Sequence, residues 1–188
     1  MKIWTIGLLL TAAITLILTL WKIAPGQSKL QVQRDQPHFP IVSGNNLNRA
    51  GLEFPRDFAG TYNLVIIPFK QRQQLIVNTW IPFAQEVEGA MLGFVYYELP
   101  TIYELPTLSR TFINEGMRAG ITDEISRERT ITLYLDKETF KDALQIPSED
   151  DIYLFLVDQS GEILWSEKGA YTQEKAQSLI EFLEEQKE

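Results

Sequence analysis

Cysteine is absent from all 188 residues, and histidine occurs once. Without a thiol there is no disulfide, no cysteine nucleophile and no thiolate metal site. The single imidazole, His38, cannot build a serine triad or a zinc cluster, and its setting between Asp35 and Phe39 reads as a polar linker in which it is solvated. Basic residues are scarce beside acidic ones, 17 against 25, for a net charge of −8. Such a surface repels phosphate backbones, which argues against nucleic-acid binding. No cofactor or metal motif remains, and none is expected. The compartment stays unreadable, because a cysteine-free chain survives anywhere.

What is present is bulky apolar material: the hydrophobic content is 45%, with ten Phe, seven Tyr and four Trp. The length suits one domain of about 100 to 200 residues with an appendage. The appendage is at the start. Ile3 to Leu20 carries no charge, close to the roughly 20 residues that cross a bilayer. No Ala-x-Ala pattern follows it, and it outruns the roughly 7 to 15 residues of a signal peptide's apolar core. The expectation is an uncleaved single-pass anchor over residues 1–24 with Trp4 and Trp21 at the interfaces, a removed signal peptide being the alternative. Lys2 on one side and Lys22, Lys29 and Arg34 on the other leave the side of the body open. Residues 25–40 are polar with three prolines, a tether; residues 41–188 make the domain.

The domain is organised around Asn63 to Lys70, a run too short for a helix and too apolar for a sheet surface. It reads as a strand buried on both faces, as parallel strands between helices are. One or two short strands precede it between Ile41 and Gly60. After it, Ile76, Trp80, Phe83 and Val87 share one helix face, with a kink expected at Pro82. Gly93 to Leu99 is the next strand, with Val95, Tyr97 and Leu99 on one face and Phe94 and Tyr96 on the other. Pro100 and Pro106 bracket a loop before a helix over Thr107 to Met117 carrying Leu108, Phe112 and Ile113. Thr130 to Leu135 is a strand, and Asp136 caps a helix to Gln145 with Phe140, Ala143 and Leu144 buried. Ile152 to Val157 and Glu162 to Ser166 form a hairpin through Asp158-Gln159-Ser160-Gly161. Thr172 caps a last helix with Ala176, Leu179, Ile180 and Leu183 inward. The order predicts an α/β domain, a mixed sheet flanked by helices.

This order, with Phe54-Pro55-Arg56-Asp57-Phe58-Ala59-Gly60 leading into Leu64-Val65-Ile66-Ile67, resembles the thioredoxin superfamily in its peroxiredoxin-like form. Phe155 to Ile163 is similar to that superfamily's late hairpin, and the resemblance covers about residues 40–186. It implies a thioredoxin-like fold. The superfamily's cysteines follow the central strand, where this chain has Lys70-Gln71-Arg72-Gln73-Gln74, so peroxide reduction and disulfide exchange are not implied. The proline before the late strand is unmatched too, since Asp150-Asp151 precedes Ile152. Asn78-Thr79-Trp80-Ile81-Pro82-Phe83, and Gly116 to Ile121 ahead of a strand and Asp136, resemble the mitochondrial ATP synthase assembly factors of this superfamily. That resemblance implies a chaperone for a membrane complex.

Four sets of residues are candidates for function. Arg110, Arg118, Arg127 and Arg129 could form a partner or anion site, although interspersed Glu115, Asp123, Glu124 and Glu128 also fit local ion pairs. Gln71 to Gln74 could hold an anion at a helix start or merely be solvated there. Ser148 to Asp151 lacks the spacing and glycine of a calcium loop and reads as a charged turn. Tyr96, Tyr97, Tyr103 and Phe94 could line a peptide-binding surface or belong to the core. The functional expectation is a membrane-tethered, redox-inactive thioredoxin-like protein that binds a protein client through Arg110, Arg118, Arg127, Arg129, Tyr97 and Tyr103. A non-thiol enzyme using Asp123, Glu124 or Asp136, and a docking scaffold, are the alternatives.

Overall fold

The computed structural model describes residues 37–186. The expected anchor, residues 1–24, lies outside the described residues, as does most of the tether. No helix among the described residues is long and apolar enough to cross a membrane.

Among the described residues, eight strands and five α-helices follow one another as β1 (Val42–Asn46), β2 (Gly51–Phe54), β3 (Tyr62–Ile67), α1 (Gln74–Ala90), β4 (Phe94–Glu98), β5 (Thr101–Tyr103), α2 (Thr107–Gly120), α3 (Glu124–Arg129), β6 (Ile131–Leu135), α4 (Lys137–Ala143), β7 (Tyr153–Asp158), β8 (Ile163–Lys168) and α5 (Gln173–Glu185). The strands form two four-stranded sheets, ordered β2-β1-β6-β5 and β4-β3-β7-β8. They share one extended run, because β4 and β5 are separated only by Leu99 and Pro100. Across that break the Leu99 amide donates to Ile66 O (2.8 Å), the Thr101 amide to Pro68 O (2.9 Å), and the Leu133 amide to Pro100 O (2.9 Å).

The central strand is β3, parallel to β4 and antiparallel to β7. Its two-faced burial is therefore reached in a mixed setting, with an antiparallel neighbour on one side. Period-two alternation sorts the core. Val65 and Ile67 join Tyr97, Leu99, Phe155 and Val157 in one cluster, while Leu64 and Ile66 join Phe94, Tyr96, Leu154 and Leu156 in the other. The second cluster is covered by Trp80 of α1 and Leu179 of α5, the first by Phe54, Phe58 and Phe140. Helices thus lie on both faces, as expected.

Local departures have physical reasons. The buried face of α1 is Val77, Trp80, Ala84 and Val87, rotated from the expected stripe. Small Ala84 lets the helix approach the sheet, and Phe83 turns to Tyr171 with ring centroids 5.6 Å apart. Ala143 is exposed, because the helix from Asp136 ends there and Leu144 and Ile146 turn inward instead. The bracketed loop contains β5, and α3 was not foreseen, its short polar run hiding any period. Residues 37–40, assigned to the tether, are bound to the domain. The Phe39 amide donates to Gly161 O at 2.8 Å, and the Phe39 ring is only 3% exposed. His38 is exposed, as expected, while its backbone takes part in this docking through a bridge to Glu162.

One buried polar group lies near the start of β3. Asn63 is fully buried; its Nδ2 donates to Gly60 O (2.7 Å) and Val157 O (3.1 Å), and its Oδ1 accepts from the Gly60 amide (2.9 Å). An Asn63→Ala variant strands those backbone groups in the core and is expected to lose about 3 kcal/mol of stability, read as a lower urea midpoint at unchanged slope.

Candidate functional site

The carboxyl ends of β3 and β4, the start of α1 and one side of α2 enclose a groove of about 1130 Å³. Its walls are mostly apolar: Leu75 and Ile81 from α1, Phe112, Ile113 and Met117 from α2, and Ile102 from β5. The expected stripe of α2 is turned outward. No residue of this helix is buried, and Leu108 and Phe112 are 83% and 82% exposed. Polar contacts hold it in place: the Tyr134 hydroxyl donates to Asn114 Oδ1 (2.9 Å), and Arg49 pairs with Glu115 (2.9 Å). A helix of this length is marginal alone, and its apolar face has no partner among the described residues.

The turn after β3 is fastened by an amide. Gln73, 1% exposed, accepts from the Phe69 and Lys70 amides at 2.7 and 3.0 Å and donates to Glu149 O at 2.9 Å. Its carboxamide oxygen thus accepts two backbone amides and its nitrogen ties the turn to Glu149, so the group is committed to holding the turn. Gln74 points the other way, its Nε2 donating to Asn78 Oδ1 (3.1 Å) and Glu98 Oε2 (3.3 Å).

Glu98 at the end of β4 is the chemically unusual residue. It is 5% exposed, lines the groove, and its Oε1 meets no hydrogen-bond donor among the described residues. Two other buried side-chain atoms lack a partner among the described residues, Arg129 Nε and Thr132 Oγ1, and neither residue lines the groove. Burial disfavours the charged carboxylate and pushes the Glu98 carboxyl up to about 7, against a smaller opposing pull from the Gln74 bond. Sequence reasoning missed Glu98 because it ends a run of strand aromatics. The one available signal was an acidic residue directly before Leu99-Pro100 in an otherwise apolar strand.

The residues expected to bind a partner are dispersed among separate contacts. Arg110 Nε donates to Leu105 O and its guanidinium lies 5.1 Å from the Tyr134 ring centre. Arg118 approaches Glu115 at 3.9 Å, Arg127 Nε donates to Ile121 O, and Arg129 pairs with Glu88 at 2.9 Å beneath Tyr97. Tyr97 is 2% exposed and offers a partner no surface, because its face of β4 packs on Phe54 and Phe58. Phe94 and Tyr96 are buried likewise. Tyr103 is 54% exposed, with the Lys137 ammonium 4.3 Å from its ring centre. In the charged turn, Glu149 holds Lys137 at 2.6 Å. Asp123 and Asp136, named for acid chemistry, are helix caps. Hydrogen bonds from Ser126 and from Thr139 hold the two carboxyls below the usual range, which suits caps and not proton donors near neutrality.

Comparison with solved structures fits this geometry. Residues of this chain align with the pneumococcal exposed lipoprotein thioredoxin Etrx1 from Streptococcus pneumoniae strain TIGR4 at a TM-score of 0.51 and 10% identity, covering 77% of this chain and 99% of that one. The fold is thioredoxin-like. BsSco, a member of the Sco family of cytochrome c oxidase assembly proteins, aligns at a TM-score of 0.52 and 8% identity over 78% of this chain and 94% of that one. No protein-family model matches the sequence, and no curated protein matches it. The thioredoxin-like frame is therefore shared at the level of fold, with Gln73 and Gln74 after the central strand and no thiol anywhere.

Glu98 gives the site a measurable signature. A carboxyl whose folded pKa exceeds its unfolded value binds a proton in the native state that the unfolded chain releases, so its contribution to stability falls as pH rises from about 4.5 to about 7. Relative to Glu98→Gln, the wild type is expected to lose on the order of 3 kcal/mol between pH 4.5 and pH 8. Urea unfolding of both proteins at the two pH values measures it; parallel changes contradict the burial.

Proposed function

We propose that this chain is a membrane-anchored, redox-inactive thioredoxin-like protein that binds an apolar segment of a client protein in the groove between α1 and α2. The carrying observation is that groove, with Phe112 82% exposed on a helix that buries nothing. An apolar face of this kind marks a binding surface. Binding is reversible, since no nucleophile of the thiol class exists to make a covalent step. The apolar run Ile3 to Leu20 serves as the anchor and concentrates the domain beside membrane-inserted clients.

The finer role in this proposal is assembly of a membrane complex such as ATP synthase. It draws on the resemblance of Asn78 to Phe83 to assembly factors. That stretch holds a core residue, Trp80, whose Nε1 donates to Gly169 O at 2.8 Å, together with Asn78, Ile81 and Pro82 of the groove wall. A second reading, a non-thiol enzyme, is favoured by the acid of pKa about 7 at Glu98. The side chain bonded to it is the Gln74 amide, which neither takes nor delivers a proton, so the binding reading is preferred.

Affinity capture of the full chain from gently solubilised membranes tests the proposal. Leu108→Ser with Phe112→Ser is expected to leave stability within about 0.5 kcal/mol and to abolish recovery of membrane-complex subunits. Loss on Arg118→Ala with Arg127→Ala instead moves the site to the arginines. Retention of the same subunits in both pairs overturns both placements, and recovery of unrelated clients overturns the ATP synthase assignment.

A further inference from the structure

The groove carries a selectivity element that apolar contact alone does not explain. Glu98 is a carboxylate at its floor with one oxygen occupied by the Gln74 amide and the other, Oε1, without a donor among the described residues. An ionised carboxylate held away from water is costly unless a cation or donor meets it. Among the described residues that complement is missing. Lys70 is the one basic residue among those lining the groove, and its ammonium pairs with Asp150 at 3.3 Å. From the α3 side the charged lining group is Asp123, whose Oδ2 accepts from the Ser126 amide at 2.6 Å. The lining residues of α2, Phe112, Ile113, Gly116, Met117 and Gly120, carry no charge, and from α1 the facing polar groups are Gln74 and Asn78.

We propose that the groove selects a client segment that is apolar but carries one lysine, whose ammonium meets Glu98 Oε1 while the apolar residues lie along Leu75, Ile81, Phe112 and Met117. This deepens the proposed function and rests on it. Three observations fix the class of occupant. The walls take apolar side chains. The free oxygen needs a donor. The net charge of −8 attracts a cationic partner and repels an acidic one. Lysine fits better than arginine, because a guanidinium fork engages both carboxylate oxygens and Oε2 is already held by Gln74. The carboxyl near pH 7 then makes recognition proton-linked: above neutrality Glu98 is ionised and meets the ammonium, below it the proton competes with lysine.

The test uses fluorescence anisotropy on the purified full chain in mild detergent. Two short labelled apolar peptides serve as probes, identical except for a central lysine or its uncharged isostere norleucine. At pH 8 the lysine peptide is expected to bind about tenfold tighter. The preference should shrink severalfold at pH 5.5, and vanish at both pH values in Glu98→Gln while norleucine binding persists. Equal binding of the two peptides to the wild type overturns the lysine anchor and leaves the groove reading standing. Tighter norleucine binding at low pH also overturns it, in favour of a ligand that accepts from neutral Glu98. Binding of neither peptide overturns the groove reading itself. If in that case the protein is a dimer dissociated by Phe112→Ser, the occupant is a second copy of the chain.

Discussion

The two-faced burial of β3 is the constraint on which the other elements depend. Asn63 to Phe69 are all buried, so apolar layers are required above and below the same strand. Its residues alternate between two clusters, and each cluster needs its own cover: α1 and α5 on one side, the β1-β2 hairpin with α4 on the other. Such a strand pairs on both edges and can end only where the covers end. That end is the groove. The position of the site thus follows from the requirement that a run of Leu, Val and Ile be dry on both faces.

Three polar side chains at the end of the sheet show how the place is used. Gln73 is held by backbone groups through both its oxygen and its nitrogen and fixes the turn. Lys137, 4% exposed, is neutralised by Glu149 and stacked near Phe69 and Tyr103. Both serve structure, since their buried polar atoms are engaged by internal partners. Glu98 differs in keeping one oxygen unmatched. In the proposed reading a client lysine completes that oxygen, and the exposed apolar face of α2 beside it gives the client its second attachment.

Much of the frame was legible in the sequence because it follows from period. The alternation of Phe94 to Leu99 sorted those residues into the two clusters that the structure displays, and Asp136 and Thr172 were readable as caps from side-chain chemistry alone. What escaped lies where tertiary context overrides pattern. The stripe Leu108, Phe112, Ile113 has helical spacing whether or not a partner covers it, so periodicity could not reveal that this helix would stand open. Tyr97 and Tyr103 have the same ring in the same stretch, and only sheet pairing decides that one is sealed and the other exposed. The four arginines are close in sequence, yet helix and strand geometry send them to Leu105, Glu115, Ile121 and Glu88 in turn. Glu98 escaped because it ends a run of strand aromatics, and its desolvation is a property of the assembled groove.

The most direct test of the account is a carbon-13 NMR titration of the glutamate side-chain carboxyls in the full chain, with Glu98→Gln supplying the assignment. The account predicts that the Glu98 carboxyl titrates near 7 and that its midpoint moves downward when the lysine-bearing apolar peptide saturates the groove. A midpoint near the ordinary glutamate value of 4.5, unmoved by the peptide, would contradict it, because Glu98 would then be solvated and the groove would have no buried charge for a client to complete.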